Sequence, residues 1–462
     1  MEDMQLDSSL RKLQVKDSER KGFLSISPVP IGNMFSASAL LVGATLGAGL
    51  TLFDSLLAIM FGFGFVMCYM CFVVMEAVDT GLPTAAFAGA ALGRSGARYL
   101  VAIIVGIACL GWFGIQASVC GVSFSLMMND LAGIDIPVWA STMFWGGVMV
   151  VTAVYGFNGL RYLGYIAAPL LAIICIYGTV VSVSTTGGIG MLVSYVPAPG
   201  AAIGLIAGVN YAVGLIAMLG TTAGDFIRYA KSRKTAVLTC LAGLLPAGIA
   251  VLMMGAIMSI ATGEGNIAVI MASFGLPAVG LVALVLSTWT VNAGNAYSAG
   301  LGFSVMLGRD TDNRRSTTAV AGLIGVAFAV VGILDHLTVF LNVLSACAPA
   351  LAGAMVADYW IVRKGDKTKF SIEPGFRLPG MVAFFGGTLV ALVTGGTFGM
   401  IEPLTFLNMP FFIGPVNGIA VSMVLFLIVY RLQQKSVVAG SADVGVSVAP
   451  ATDTVEAAGK KS

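Results

Sequence analysis

Charge is what this sequence has least of: only 10% of its 462 residues are Asp, Glu, Lys or Arg, against about 25% in an ordinary soluble domain. With 58% apolar side chains, it lacks the polar coat that a soluble fold of this length needs. A net charge of +2 offers no basic face for nucleic acid. The 59 glycines show no triplet repeat, which excludes a fibrous protein. Histidine is nearly absent, with His336 alone. The seven cysteines, Cys68, Cys71, Cys109, Cys120, Cys175, Cys240 and Cys347, lie scattered in apolar runs without the paired spacing of a zinc site. A metal centre or a Ser-His-Asp triad therefore has no material to work with. What remains is an all-α integral membrane protein, and not an enzyme. Residues 1–28 are expected to form a cytoplasmic N-terminal tail, since the first 22 carry charges of both signs and no apolar signal-peptide core.

A bilayer core about 30 Å thick takes about 20 apolar residues in a helix. Twelve runs approach that length, near 29–52, 55–77, 98–127, 138–156, 162–186, 200–222, 235–262, 275–305, 317–334, 337–357, 378–398 and 411–430. All 24 Lys and Arg precede the first run, follow an even-numbered one or end the chain. The opposite loops hold only Asp130, Asp135, Glu264, Asp335, His336 and Glu402 among ionisable groups. Positive charge stays on the cytoplasmic side, so both termini are expected there, in a multi-pass protein of the inner membrane. A tight outer hairpin is expected at Asp335-His336, and 436–462 reads as a disordered cytoplasmic tail.

Spans 1–5 (29–186) and 6–10 (200–357) can be laid over one another, and because five is odd the second set runs in the opposite sense. Each opens with a glycine-interrupted helix: Gly32, Gly43, Gly47 and Gly49 in the first, Gly204, Gly208, Gly214, Gly220 and Gly224 in the sixth. Inverted repeats whose first helices are broken near the midplane mark secondary transporters, because unwound backbone there can ligate substrate or ion. The competing use of such glycines is close helix packing, for which Gly43 and Gly47 have the small-xxx-small spacing. The expectation is a 5+5 inverted repeat with discontinuous helices 1 and 6, followed by two peripheral spans, 378–430.

Polar groups deep in the membrane are costly and usually functional. Asp54, Glu76, Asp79, Asp225, Asp310 and Asp358 fall at or near span ends, where a solvated or capping carboxylate is expected. Asp225 and Arg228 are spaced to pair at i, i+3. The eighth span differs: Thr288, Asn292 and Asn295 share one face in mid-membrane. Their neutral oxygens are either hard ligands for a dehydrated Na⁺ or interhelical hydrogen-bonding groups. In the third span Cys109, Trp112 and Gln116 share a face. A mid-span tryptophan between Gly111 and Gly114 is either core filling or a platform for a flat ring.

These stretches resemble bacterial cytosine permeases of the nucleobase:cation symporter family 1, the purine/cytosine permease family. The resemblance runs from about Lys21 to Arg431. It is carried by Phe35-Ser36-Ala37-Ser38 with Gly43-Ala44-Thr45-Leu46-Gly47, by Gly111-Trp112-Phe113-Gly114, by Asp225-Phe226-Ile227-Arg228, and by Asn292 with Tyr297 through Phe303. It implies a twelve-helix LeuT-like symporter that takes up a neutral nucleobase such as cytosine, or a related heterocycle, with Na⁺ or H⁺ and no cofactor. Its partners would be a small heterocycle, a monovalent cation and the lipid bilayer, with no nucleic acid, and it would act as a monomer. By the resemblance, Trp112 is the stacking aromatic and Asn292 lies near both substrate and cation. Gly32 and Phe35 supply the rest of the cation site, and Asn295 joins it on the same face as Asn292. Two departures stand out. Cys109 replaces a glutamine, and Leu215-Ile216-Ala217-Met218 replaces a polar Ser-Phe-x-Ser run. Cys109, Leu215, Ile216 and Met218 are thus substrate-facing candidates that no longer hydrogen-bond like their counterparts, while Gln116, Asn210 or Tyr211 stand as replacements. An amino-acid or other small-solute symporter of the same fold is the alternative.

Overall fold

The computed structural model describes residues 11, 13–155, 159–185, 187–273, 277–308 and 314–443. The apolar runs fold as α1 (Pro28–Met34), α2 (Ala37–Gly49), α3 (Leu52–Thr80), α4 (Ala102–Ala132), α5 (Val138–Tyr155), α6 (Gly159–Thr185), α7 (Leu205–Thr222), α8 (Leu245–Thr262), α9 (Pro277–Leu307), α10 (Arg314–Val331), α11 (Leu337–Val356), α12 (Leu378–Thr394) and α13 (Gly414–Asp443). Among the described residues, eight helices are long and apolar enough to cross a membrane. Four shorter apolar helices cover the remaining runs: Ala37–Gly49, Pro169–Thr185, Arg315–Val331 and Leu378–Thr394.

The first span is interrupted. At Phe35 the backbone leaves the helix (φ −77°, ψ 74°), the Ser36 N–H turns back to the Met34 carbonyl (2.9 Å), and the Phe35 N–H bonds the Gly32 carbonyl (3.1 Å). Ser36, extended at φ −132° and ψ 152°, then restarts the helix as an N-cap, its Oγ accepting from the Ala39 N–H at 3.3 Å. The sixth span departs from expectation, because α7 is continuous from Leu205 to Thr222 and the α-helical run lapses only at Ala223, near its charged end. Its glycines serve contact instead. A methyl group on Gly214 would strike the Leu341 backbone of α11, and one on Gly208 or Gly220 would strike Leu50, or Val66 and Tyr69. Gly43 and Gly47 of α2 do likewise against Leu252 and Ala256 of α8.

Two sets of helices result. In one, α2 packs on α8 and α3 on α7; in the other, α4, α5, α9 and α10 pack on one another. The tight hairpin is present, with Gly332 at φ 96° leading into the 3-10 turn Ile333–His336. Some span-end carboxylates differ from expectation. Asp54 stands in the first turn of α3 and accepts from Thr51 Oγ1 at 2.8 Å, Thr51 being the residue that caps the helix by accepting the Asp54 N–H. Glu76 and Asp358 are each only 1% exposed, Asp358 being held by Arg363 at 2.7 Å and by Arg377. Asp79 takes a bidentate bond from Arg233 and another from Tyr359 Oη. Asp225 accepts the Thr84 N–H (2.7 Å) and Arg228 donates to the Leu13 carbonyl (2.9 Å), so each turns to a partner other than the one its spacing suggested. Asp310 lies outside the described residues.

Within the expected amino-terminal tail, the described residues 13–22 are docked. Lys21 forms a parallel bridge with Ala230, the Val15 N–H bonds the Gly81 carbonyl, and Arg20 donates to the carbonyls of Val78 and Ala230. At the other end α13 continues to Asp443, and residues 444–462 of the expected tail lie outside the described residues.

Candidate functional site

Where α1 breaks, the two helix sets enclose a cavity of about 730 Å³. One side is made by Met34, Ser36 and Ser38 at the break and by Leu215, Ile216, Met218 and Leu219 of α7. The other is made by Cys109, Trp112 and Gln116 of α4, with α5 at Thr152 and α9 at Thr290 and Asn295. Each helix contributes the half that lies toward the basic loops, and the exposed Asn33, Phe226 and Tyr297 at that end open the cavity to that side.

Among the described residues, the lining carries no carboxylate, amine, guanidinium or imidazole. A charged solute entering it would lose water without gaining a counter-ion, so the site suits a neutral one. Trp112 meets Phe340 edge-on, with centroids 5.3 Å apart at 83°, while also lining the cavity. Phe340 fits there because its ring lies over Gly111, where a methyl group would collide with it. One turn along, Gln116 is buried. Its Nε2 donates to Ser38 Oγ at 3.4 Å, Ser38 Oγ lies 3.1 Å from Ser36 Oγ, and its Oε1 has no partner. It is the only buried side-chain polar atom of the described lining in that condition. A buried amide oxygen left unpaired is costly, and a ligand N–H would relieve it.

The residues assigned to substrate from sequence mostly converge: Cys109, Trp112, Gln116, Leu215, Ile216 and Met218 all line this cavity. Asn292 does not. It is fully buried, its Nδ2 donating to the Phe113 carbonyl of α4 at 2.8 Å and its Oδ1 accepting from Asn295 Nδ2 at 3.1 Å. Helix pairing uses its amide, which is the alternative the sequence left open, and Asn295 is the member of the pair that reaches the cavity. Gly32 and Phe35 sit at the break without lining it, and the Gly32 carbonyl is taken by the Phe35 N–H. Asn210 and Tyr211 lie elsewhere, Asn210 donating to the Gly395 carbonyl at 2.9 Å. The sequence reading gave no site role to Ser36 and Ser38, although a serine before a fresh apolar helical run is an N-cap signal.

Comparison with known proteins follows the same lines. Residues 14–429 match the family described as permeases for cytosine/purines, uracil, thiamine and allantoin. The cytosine permease of Escherichia coli (strain K12) is 28% identical over 414 residues, covering 84% of this chain and 95% of that protein. The hydantoin permease of Microbacterium maritypicum is 23% identical, covering 79% of this chain and 78% of that protein. Among solved structures, Mhp1 in an inward-facing conformation superposes with a TM-score of 0.76 at 18% identity, covering 97% of this chain and 99% of that one. Mhp1 in a closed conformation with bromovinylhydantoin bound, described as a nucleobase-cation-symport-1 family transporter, gives 0.70 at 19% identity, over 93% and 96% of the two chains. These likenesses establish an Mhp1-like all-helical fold. The chain, a multi-pass membrane transporter, belongs to the cytosine/purine permease family, nucleobase:cation symporter family 1.

Proposed function

We propose that this protein is a secondary active transporter that carries a neutral nucleobase or related heterocycle inward together with Na⁺ or H⁺, by alternating access. The observation that carries the reading is the pairing, in an uncharged cavity, of the Trp112 indole with the unpartnered Gln116 Oε1. The ring stacks on the indole and donates an N–H to the amide oxygen. No bond is made or broken. The work is recognition, followed by rocking of the α1–α2–α3–α7–α8 set against α4–α5–α9–α10, the motion through which broken-helix transporters expose a midplane site to each side in turn. The cation takes oxygens at the α1 break, around Gly32 and Phe35, with the Asn292–Asn295 pair across from them. The basic loops face the cytoplasm of an inner membrane, with both termini there, so the cavity as described opens inward and the protein works as a monomer.

An amino-acid substrate fits less well. Its ammonium would find no carboxylate among the described lining residues, and its carboxylate would compete with Ser36 Oγ for the Ala39 N–H at the start of α2.

Uptake of labelled cytosine, uracil, hydantoin and allantoin into proteoliposomes, under inward Na⁺ or H⁺ gradients, tests the proposal. At least one ring should accumulate only with a gradient. Trp112→Ala should weaken that ring by about 5- to 150-fold, the range of a lost aromatic stack of about 1–3 kcal/mol. Ring uptake indifferent to both gradients would remove the coupling, and wild-type affinity in Trp112→Ala would remove the site.

A further inference from the structure

Resting on that reading, we propose that the ring carried by this protein bears an apolar substituent, seated against Leu215, Ile216, Met218 and Leu219 of α7. The cavity is two-sided. On the α4 side and at the α1 break it offers an aromatic face, a free amide oxygen and two serine hydroxyls. On the α7 side four consecutive lining side chains present only carbon and sulfur.

The threonine hydroxyls of the lining do not change this. Thr222 Oγ1, one turn beyond Met218, donates to the Met218 carbonyl at 2.8 Å, and Thr290 Oγ1 donates to the Leu286 carbonyl at 2.7 Å. Thr152 Oγ1 donates to the Met149 carbonyl at 2.9 Å while accepting from Trp289 Nε1 at 3.1 Å. Their protons are committed, so none of these threonines offers a free donor to a ring carbonyl or ring nitrogen turned toward α7. An unsubstituted pyrimidine is polar around its rim, and the edge away from Gln116 would lose its water without replacement. An alkyl or aryl group on that edge reverses the sign, because its burial against α7 is favourable. A cavity of about 730 Å³ leaves room for it beside a single ring.

Equilibrium binding of ligand series to the purified full chain in detergent, in Na⁺ and in K⁺ buffers, decides the matter. The probes are cytosine, uracil, 5-ethyluracil and 5-butyluracil, and hydantoin with its 5-ethyl and 5-butyl derivatives. In at least one series Kd should fall about fourfold for each added methylene, the equivalent of about 0.8 kcal/mol per buried CH₂. Leu219→Ser, at a half-buried position, should shrink the ratio between parent and butyl affinities by at least about fourfold, a readout that does not depend on how much of the preparation is active. Parent rings binding as tightly as their butyl derivatives, or a ratio unmoved by Leu219→Ser, would overturn the proposal while leaving heterocycle transport standing. Failure of every ring to bind would overturn both.

Discussion

Spans one and six carry similar densities of glycine, yet one is broken in the middle and the other is not. In the first, the interruption falls at Phe35, where no glycine stands, and the chain resumes because Ser36 caps the helix that follows. In the sixth, the glycines bring α7 against the backbone of α11 and the side chains of α2 and α3 without unwinding it. Glycine permits close approach, and here a capping serine marks the interruption. The difference also sets the chemistry of the cavity: the broken helix brings serines and freed backbone to one side, and the unbroken one presents a row of apolar side chains to a solute.

This contrast can be attacked at single positions, with denaturation of the purified protein as the measure. The largest effect is expected at Gly214→Leu, whose new side chain must displace the Leu341 backbone; overpacking of this kind costs about 1–3 kcal/mol, and the upper end is expected. Stability within 0.5 kcal/mol of wild type, roughly the scatter of neutral substitutions, would mean that α7 and α11 are not in backbone contact. Next comes Asn292→Ala, which deletes the bond to the Phe113 carbonyl and should cost about 1–2 kcal/mol, the range of interhelical side-chain bonds in membranes. An unchanged stability, with ion-stimulated uptake lost, would return Asn292 to a purely ligating role. Ser36→Ala removes the cap at the break and should cost about 1 kcal/mol; Ser36→Asp, another good capping residue, should recover most of it. The smallest change is expected at Gly32→Ala. No atom lies within 4 Å of the added methyl group, and α1 is helical there, so stability should rise by about 0.5 kcal/mol. A marked loss would show that Gly32 is kept for a backbone conformation other than the one described.

Much of this architecture was legible in the sequence because the bilayer imposes it. Hydropathy located the apolar helices, and Asp335 with His336 marked the hairpin. Trp112 and Gln116 fell on one side of the cavity because residues four apart share a helical face. What sequence did not reveal was which of two lawful uses a residue serves. Gly214 is equally suited to a break or a contact, and the choice rests on Leu341, a residue 127 positions away. Asn292 is equally suited to a cation or a carbonyl, and only folding shows that its Nδ2 goes to the Phe113 carbonyl while its Oδ1 meets Asn295. Asp358 reads as an end-of-span carboxylate until Arg363 and Arg377 close over it, and only folding brings Arg377 there.

The docking of residues 13–22 has a practical consequence. Lys21 holds the loop after α7 through main-chain bonds to Tyr229 and Lys231, while Arg20 and Val15 hold the end of α3. The segment is therefore fastened to one helix set, and in the proposed rocking it would travel with that set as part of a single lever. A spin label or dye at the exposed Ser18, paired with a second on α5 away from the cavity-lining Thr152 and Ala153, would act as a molecular ruler for the proposed rocking motion.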